Sequence, residues 1–194
     1  MRDTDLEGLI GRRGGDILEH ILSTWGVEYI FGYPGGAALP LFDGIYGTDK
    51  FQSIPTHHEQ GAGHMAEEYS QATGKPGVVL VTSGPGTSNL ATPMLNALLD
   101  GNPMISICWK VESTAQGTNV FQEIDVQAFA RPCTKWVTVV KAIEELPSSL
   151  QTAFKQSTHG RHGPVLVAIP KDVGSATFSS EAYQKALKCY GPKD

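Results

Sequence analysis

A chain of 194 residues, 40% hydrophobic and 18% charged, is long enough for one domain with a sizeable core. Its net charge of −5 argues against nucleic acid or an anionic membrane surface as the main partner, and no apolar run reaches membrane-spanning length. The cysteines, Cys108, Cys133 and Cys189, lack C-x-x-C spacing; they suit a reducing compartment and offer neither a disulfide framework nor a zinc site. The opening M-R-D-T-D-L-E-G shows no signal or transit peptide. The expected location is the cytoplasm, with mitochondrion or plastid as the alternative if the chain belongs to a longer eukaryotic precursor.

In chain order, residues 1–13 read as an N-terminal extension. Residues 15–25 put Ile17, Leu18, Ile21, Leu22 and Trp25 on one helical face, with Gly26 as the stop. Tyr29, Ile30 and Phe31 form a short strand that ends in the turn Gly32-Tyr33-Pro34-Gly35-Gly36. A helix carrying Leu39, Leu41, Phe42, Ile45 and Tyr46 follows, then a strand over 51–55. A slim helix comes next, with Gly61, Ala62, Gly63, Ala66 and Ala72 leaving room for a ligand or a partner chain. Residues 78–81 are apolar throughout, as in a strand covered on both faces. Ser83-Gly84-Pro85-Gly86 turns the chain, and Thr87 and Ser88 are placed to cap a helix starting near Asn89. Strands over 103–108, 135–140 and 164–169 and an amphipathic helix over 143–157 complete the pattern. Strands alternating with helices of this length mean βαβ units: an α/β, doubly wound parallel sheet with helices on both faces. The domain is expected over 14–173, with 174–194 a polar tail or the start of an interdomain linker.

A strand running into a glycine turn before a helix is where open parallel sheets place ligands. A dinucleotide site fails, because Asn89 stands where the third glycine of G-x-G-x-x-G belongs, and no G-K-[ST] follows a glycine loop. His57, His58, Glu59 and His64 lack the H-E-x-x-H spacing, so no metal site is expected. Glu59 has two readings. The simpler is a first-turn acid that complements the helix dipole. The other follows from its setting among His57, His58, Gln60 and small residues, where a carboxyl can share a proton with a ligand nitrogen.

The stretches Gly32-Tyr33-Pro34-Gly35-Gly36-Ala37, His58-Glu59-Gln60-Gly61-Ala62-Gly63-His64-Met65-Ala66-Glu67 and residues 74–89 resemble the N-terminal domain of acetohydroxyacid synthases. So do Gly117-Thr118-Asn119-Val120-Phe121-Gln122-Glu123, Cys133-Thr134-Lys135-Trp136 and Gly163-Pro164-Val165-Leu166-Val167. These enzymes, also called acetolactate synthases, use thiamine diphosphate, and the similarity runs from about Gly14 to Val173. The resemblance implies the pyrimidine-binding domain, which acts on a 2-keto acid such as pyruvate in branched-chain amino acid biosynthesis. It implies that Glu59 hydrogen-bonds the aminopyrimidine N1′ and favours the imino tautomer that removes the thiazolium C2 proton. It further implies that Gly35, Gly36, Pro85 and Asn89 bind the cofactor, Ala37 and Phe121 line the substrate channel, and Gln122 lies near the reacting centre. Only the pyrimidine end of thiamine diphosphate is expected here. Magnesium, and flavin where it is used, would be held by further domains, whose G-D-G…N motif does not occur in this sequence. The implied partner is a second copy or a chain that carries the diphosphate-binding domain; the alternative is a non-catalytic binding or regulatory relative.

Two stretches depart from the family pattern. Trp109-Lys110-Val111-Glu112 stands where the family usually has G-Q-V-P, and Ala66-Glu67-Glu68-Tyr69-Ser70-Gln71-Ala72 where it has A-E-G-Y-A-R-A. The first is expected to bring Trp109, Lys110 and Glu112 near the substrate channel.

Overall fold

The computed structural model describes residues 6–35, 43–45 and 47–190. Six strands form one sheet: β1 (Tyr29–Gly32), β2 (Gln52–Pro55), β3 (Gly77–Val81), β4 (Met104–Lys110), β5 (Trp136–Val139) and β6 (Pro164–Pro170). Their order is β2-β1-β3-β4-β6-β5, and every pairing is parallel. β3, β4 and β6 are buried along their whole length, whereas the edge strands β2 and β5 are partly exposed. That burial explains why the central strands read as continuous apolar runs rather than alternating ones.

Each face of the sheet has its own core, divided by strand alternation. One face carries Ile30, Val78, Leu80, Ile107, Val167 and Ile169, covered by α1 (Gly14–Thr24), α6 (Leu146–Thr158) and α8 (Ser180–Tyr190). The other carries Phe31, Val79, Val81, Cys108, Leu166 and Ala168, beneath α2 (Glu59–Thr73), α4 (Ala91–Asp100) and α5 (Val126–Ala130). Two short helices, α3 (Pro85–Ser88) and α7 (Lys171–Ser175), follow β3 and β6 directly. The doubly wound parallel sheet expected from the sequence is the observed architecture.

Local details differ from expectation in two places, and a third lies largely outside the described residues. Most of the helix expected around Leu39, Leu41, Phe42 and Tyr46 lies outside the described residues, although Ile45 is buried in the core. The narrow face of α2 serves the chain itself: a Cβ on Gly63 would come within 2.4 Å of Pro93, whereas one on Gly61 would meet nothing. Thr87 and Ser88 do not cap α4. Thr87 Oγ1 instead donates to Thr82 O at 3.0 Å, and α4 begins without a side-chain cap.

The first and last described segments reach into the core. Leu6, Leu9 and Phe178 are fully buried, Ala182 and Ala186 pack with them, and Arg13 bridges to Thr177. Residues 174–194 were expected to be a polar tail or the start of an interdomain linker; within them Phe178, Ala182 and Ala186 are buried, and α8 packs on α6 and on the 3-10 turn at Ile143–Glu145. Phe178→Ala is therefore expected to cost about 3–5 kcal/mol, as for a large core side chain. Urea denaturation followed by circular dichroism measures this; a loss below about 1 kcal/mol would restore the tail reading.

Candidate functional site

β1 lies between β2 and β3, so the chain's progress across the sheet reverses there, and in open parallel sheets the carboxyl ends of the strands at such a switch point are where a ligand crevice forms. The turns leaving β1 and β3 meet there: a Cβ on Gly35 would fall 2.6 Å from Thr82 Cβ. α2 enters the same region from β2. Its N-cap is His58, whose Nδ1 accepts from the Gln60 N–H at 3.1 Å, which leaves Glu59 in the first turn, where the helix dipole favours a carboxylate. Glu59 is only 9% exposed.

Each oxygen of Glu59 has a distinct environment. Oε2 accepts from Asn89 Nδ2 at 2.9 Å, across 30 residues of sequence. Oε1 lies toward Gly86: a Cβ built there would sit 3.2 Å from Oε1 and 2.8 Å from Thr82 Cγ2. Among the described residues, no lysine or arginine pairs with this carboxyl. A buried acid with one oxygen fixed by an amide and the other facing a glycine can share a proton with a polar ring placed against it.

The same turn reaches a third segment. Gly84 has a left-handed φ of +54°, and a Cβ there would meet Gln122 O at 2.5 Å. Gln122 is itself left-handed, at φ +64°. It lines a cleft of about 470 Å³ with Ser83, Val111, Glu112, Ala115, Phe121 and Lys171. Phe121, at 88% exposed, stands at its rim.

The residues present fit a flat aminopyrimidine. Glu59 would supply the acid, the missing side chains at Gly35 and Gly86 let the surrounding segments come close, and Thr82 Oγ1 and Ser83 Oγ are buried without a protein partner. Of the residues singled out in the sequence, Gly35, Glu59, Pro85 and Asn89 gather around one turn, which also touches Gln122. Gly36 and Ala37 lie outside the described residues. Thr82 was missed. It touches both Gly35 and Gly86, and its signal was only a polar residue closing an apolar strand.

Trp109 does not face the channel. It is fully buried in the core, and a Cβ on Gly174 would fall 1.9 Å from its Cη2. Lys110 is buried too, whereas Glu112 is exposed and lines the cleft, 4.0 Å from Lys171. Cys108 is no nucleophile, since complete burial pushes its thiol up to about 12. His64 Nδ1 lies 3.1 Å from Glu67 Oε2.

The family described as "Thiamine pyrophosphate enzyme, N-terminal TPP binding domain" matches residues 12–129. The chain is 55% identical over 172 residues to "Acetolactate synthase catalytic subunit, mitochondrial" of Aspergillus candidus, covering 89% of this chain and 25% of that protein. It is 53% identical over 167 residues to the Saccharomyces cerevisiae protein of the same name, covering 86% and 24%. It is 43% identical over 170 residues to "Acetolactate synthase isozyme 2 large subunit" of Escherichia coli, covering 88% and 31%. The chain thus spans about a quarter of the length of the two fungal relatives.

Two glycines make contrasting tests of this geometry. Gly84→Ala puts a Cβ against the Gln122 backbone at a left-handed position, and is expected to cost at least about 2 kcal/mol. Gly61→Ala adds a methyl in open space within a helix, and is expected to add up to about 1 kcal/mol of stability. Urea melts of both variants check the pair; equal effects would mean that the turn is not packed as described.

Proposed function

This chain belongs to the thiamine pyrophosphate enzymes through their N-terminal TPP binding domain, and from that premise we propose that it supplies the activating carboxylate of an acetolactate synthase. The observation that carries the proposal is the buried Glu59, with Oε2 held by Asn89 and Oε1 turned toward Gly86. When bound, thiamine diphosphate would supply a carbon that adds to the carbonyl of a 2-keto acid such as pyruvate and accepts the electrons freed by decarboxylation.

Glu59 would hold the pyrimidine N1′ by sharing a proton with it. Because Asn89 fixes one carboxyl oxygen, the other is oriented before the ligand arrives, and little ordering remains to be done on binding. Gly35, Gly36, Pro85 and Thr82 would wall the ring and keep water from the shared proton. Ala37, Phe121 and Gln122 would face the substrate, with Phe121 at the rim of the cleft. Magnesium, the diphosphate and any flavin would be held by parts of the protein outside this chain, so the domain alone is expected to bind the cofactor weakly.

Assembly follows from the same reading. Met65 on α2 and Leu95 and Leu99 on α4 are large apolar side chains with 41%, 44% and 65% exposure, an outward surface suited to a second copy or to a chain bearing the diphosphate domain. The fungal relatives are named mitochondrial, which favours the mitochondrial location over the cytoplasmic one. Among the described residues, no helix is long and apolar enough to cross a membrane.

The deciding variant is Glu59→Gln, made in the longer synthase or with a diphosphate-domain partner. The amide keeps the shape but cannot share a proton as a carboxyl does, so pyruvate turnover is expected to fall at least about a hundredfold. Circular dichroism should be unchanged. Turnover within about threefold of the parent would leave Glu59 as a helix-start acid and end the proposal.

A further inference from the structure

Lys110 ends the central strand β4 as a buried lysine, 5% exposed. Its Nζ donates to Glu123 Oε1 at 2.9 Å and to Ile124 O at 3.1 Å. The Glu123 side chain is only 14% exposed, and its backbone N–H donates to Val120 O at 3.0 Å. Lysines are seldom buried, and this one is paired with a carboxylate and a carbonyl that both come from a single loop.

That loop, residues 111–125, joins β4 to α5 with no regular structure beyond a 3-10 turn at Ser113–Ala115. It contains the two non-glycine residues with left-handed backbones among those described, Asn119 at φ +57° and Gln122 at φ +64°. Such conformations persist only where the surroundings hold them. On one side of Gln122, Phe121 is exposed to solvent and holds nothing; on the other side are Glu123 and Ile124, which Lys110 grips. Gln122 itself is held by the Gly84 turn, packed against its carbonyl, while Ile124 packs on the apolar core and Ser113 ties the start of the loop to Asp172.

We propose that Lys110 is a positioning residue: through Glu123 and Ile124 it clamps the loop so that Gln122 stays left-handed against Gly84 and Phe121 stands at the cleft. The proposal rests on the reading of Gln122 and Phe121 as site residues.

The test has two readouts. Hydrogen exchange is measured on the 194-residue chain for Lys110→Gln and for the double variant Lys110→Met with Glu123→Leu, which leaves no unpaired buried charge and so protects the fold. Peptides covering residues 116–124 are expected to exchange at least roughly tenfold faster in both variants, while peptides from β3 and β6 keep their protection. In the longer synthase, the same variants are expected to raise KM for pyruvate by roughly fivefold or more, with a smaller change in kcat. Loop exchange within about twofold of the parent would overturn the clamp. A loosened loop with unchanged KM would overturn its role in positioning the site. Glu59→Gln reports separately on the catalytic reading, so the two failures are distinguishable.

Discussion

The arrangement depends on one constraint, the packing of the turn at residues 82–86 against three segments at once. Thr82 fills the space a side chain on Gly35 would take, Gly84 lies on the Gln122 backbone, and Gly86 faces the Glu59 carboxyl. These contacts join the ends of β1 and β3, the start of α2 and the loop after β4. The turn is fixed internally by Thr87, whose hydroxyl closes onto the Thr82 carbonyl. Parallel topology makes this possible, because all four segments emerge at the carboxyl edge of one sheet or lead back from it. The sheet brings the segments together, and the absence of side chains at three glycines sets how closely they meet.

Much of the fold was legible because its signals are local. Central strands buried on both faces are apolar at every position, and the helices carry their core residues at helical spacing. What escaped was carried by isolated side chains. Leu6, Leu9 and Phe178 sit in polar company, and the apolar stripe of α8 (Ala182, Tyr183, Ala186 and Leu187) is diluted by Glu181, Gln184, Lys185 and Lys188. A single phenylalanine in a polar stretch reads as a tail until the surface it covers is seen.

The candidate site divides the same way. Glu59 could be singled out because few charges surround it in the sequence, whereas Asn89 entered only through the resemblance. Their hydrogen bond spans 30 residues and is visible only in three dimensions. Thr82 had no local signal, since a threonine after a strand is unremarkable until two glycines are found against it. Trp109 was misplaced for the opposite reason. Its substitution into a family motif suggested the channel, but alternation along β4 sends it into the core against Gly174, while its neighbour Lys110 turns to the loop.

The central claim is that the fold presents the Glu59 carboxyl to a flat aminopyrimidine. Nuclear magnetic resonance of the chain with carbon-13 in its glutamate carboxyls tests it most directly, titrated with 4-amino-2-methylpyrimidine at millimolar concentration. The account predicts that the Glu59 carboxyl and the Asn89 side-chain amide move together, with backbone shifts confined to residues 33–35 and 82–89. Shifts centred elsewhere, or a titration that leaves the Glu59 carboxyl unmoved, would contradict it.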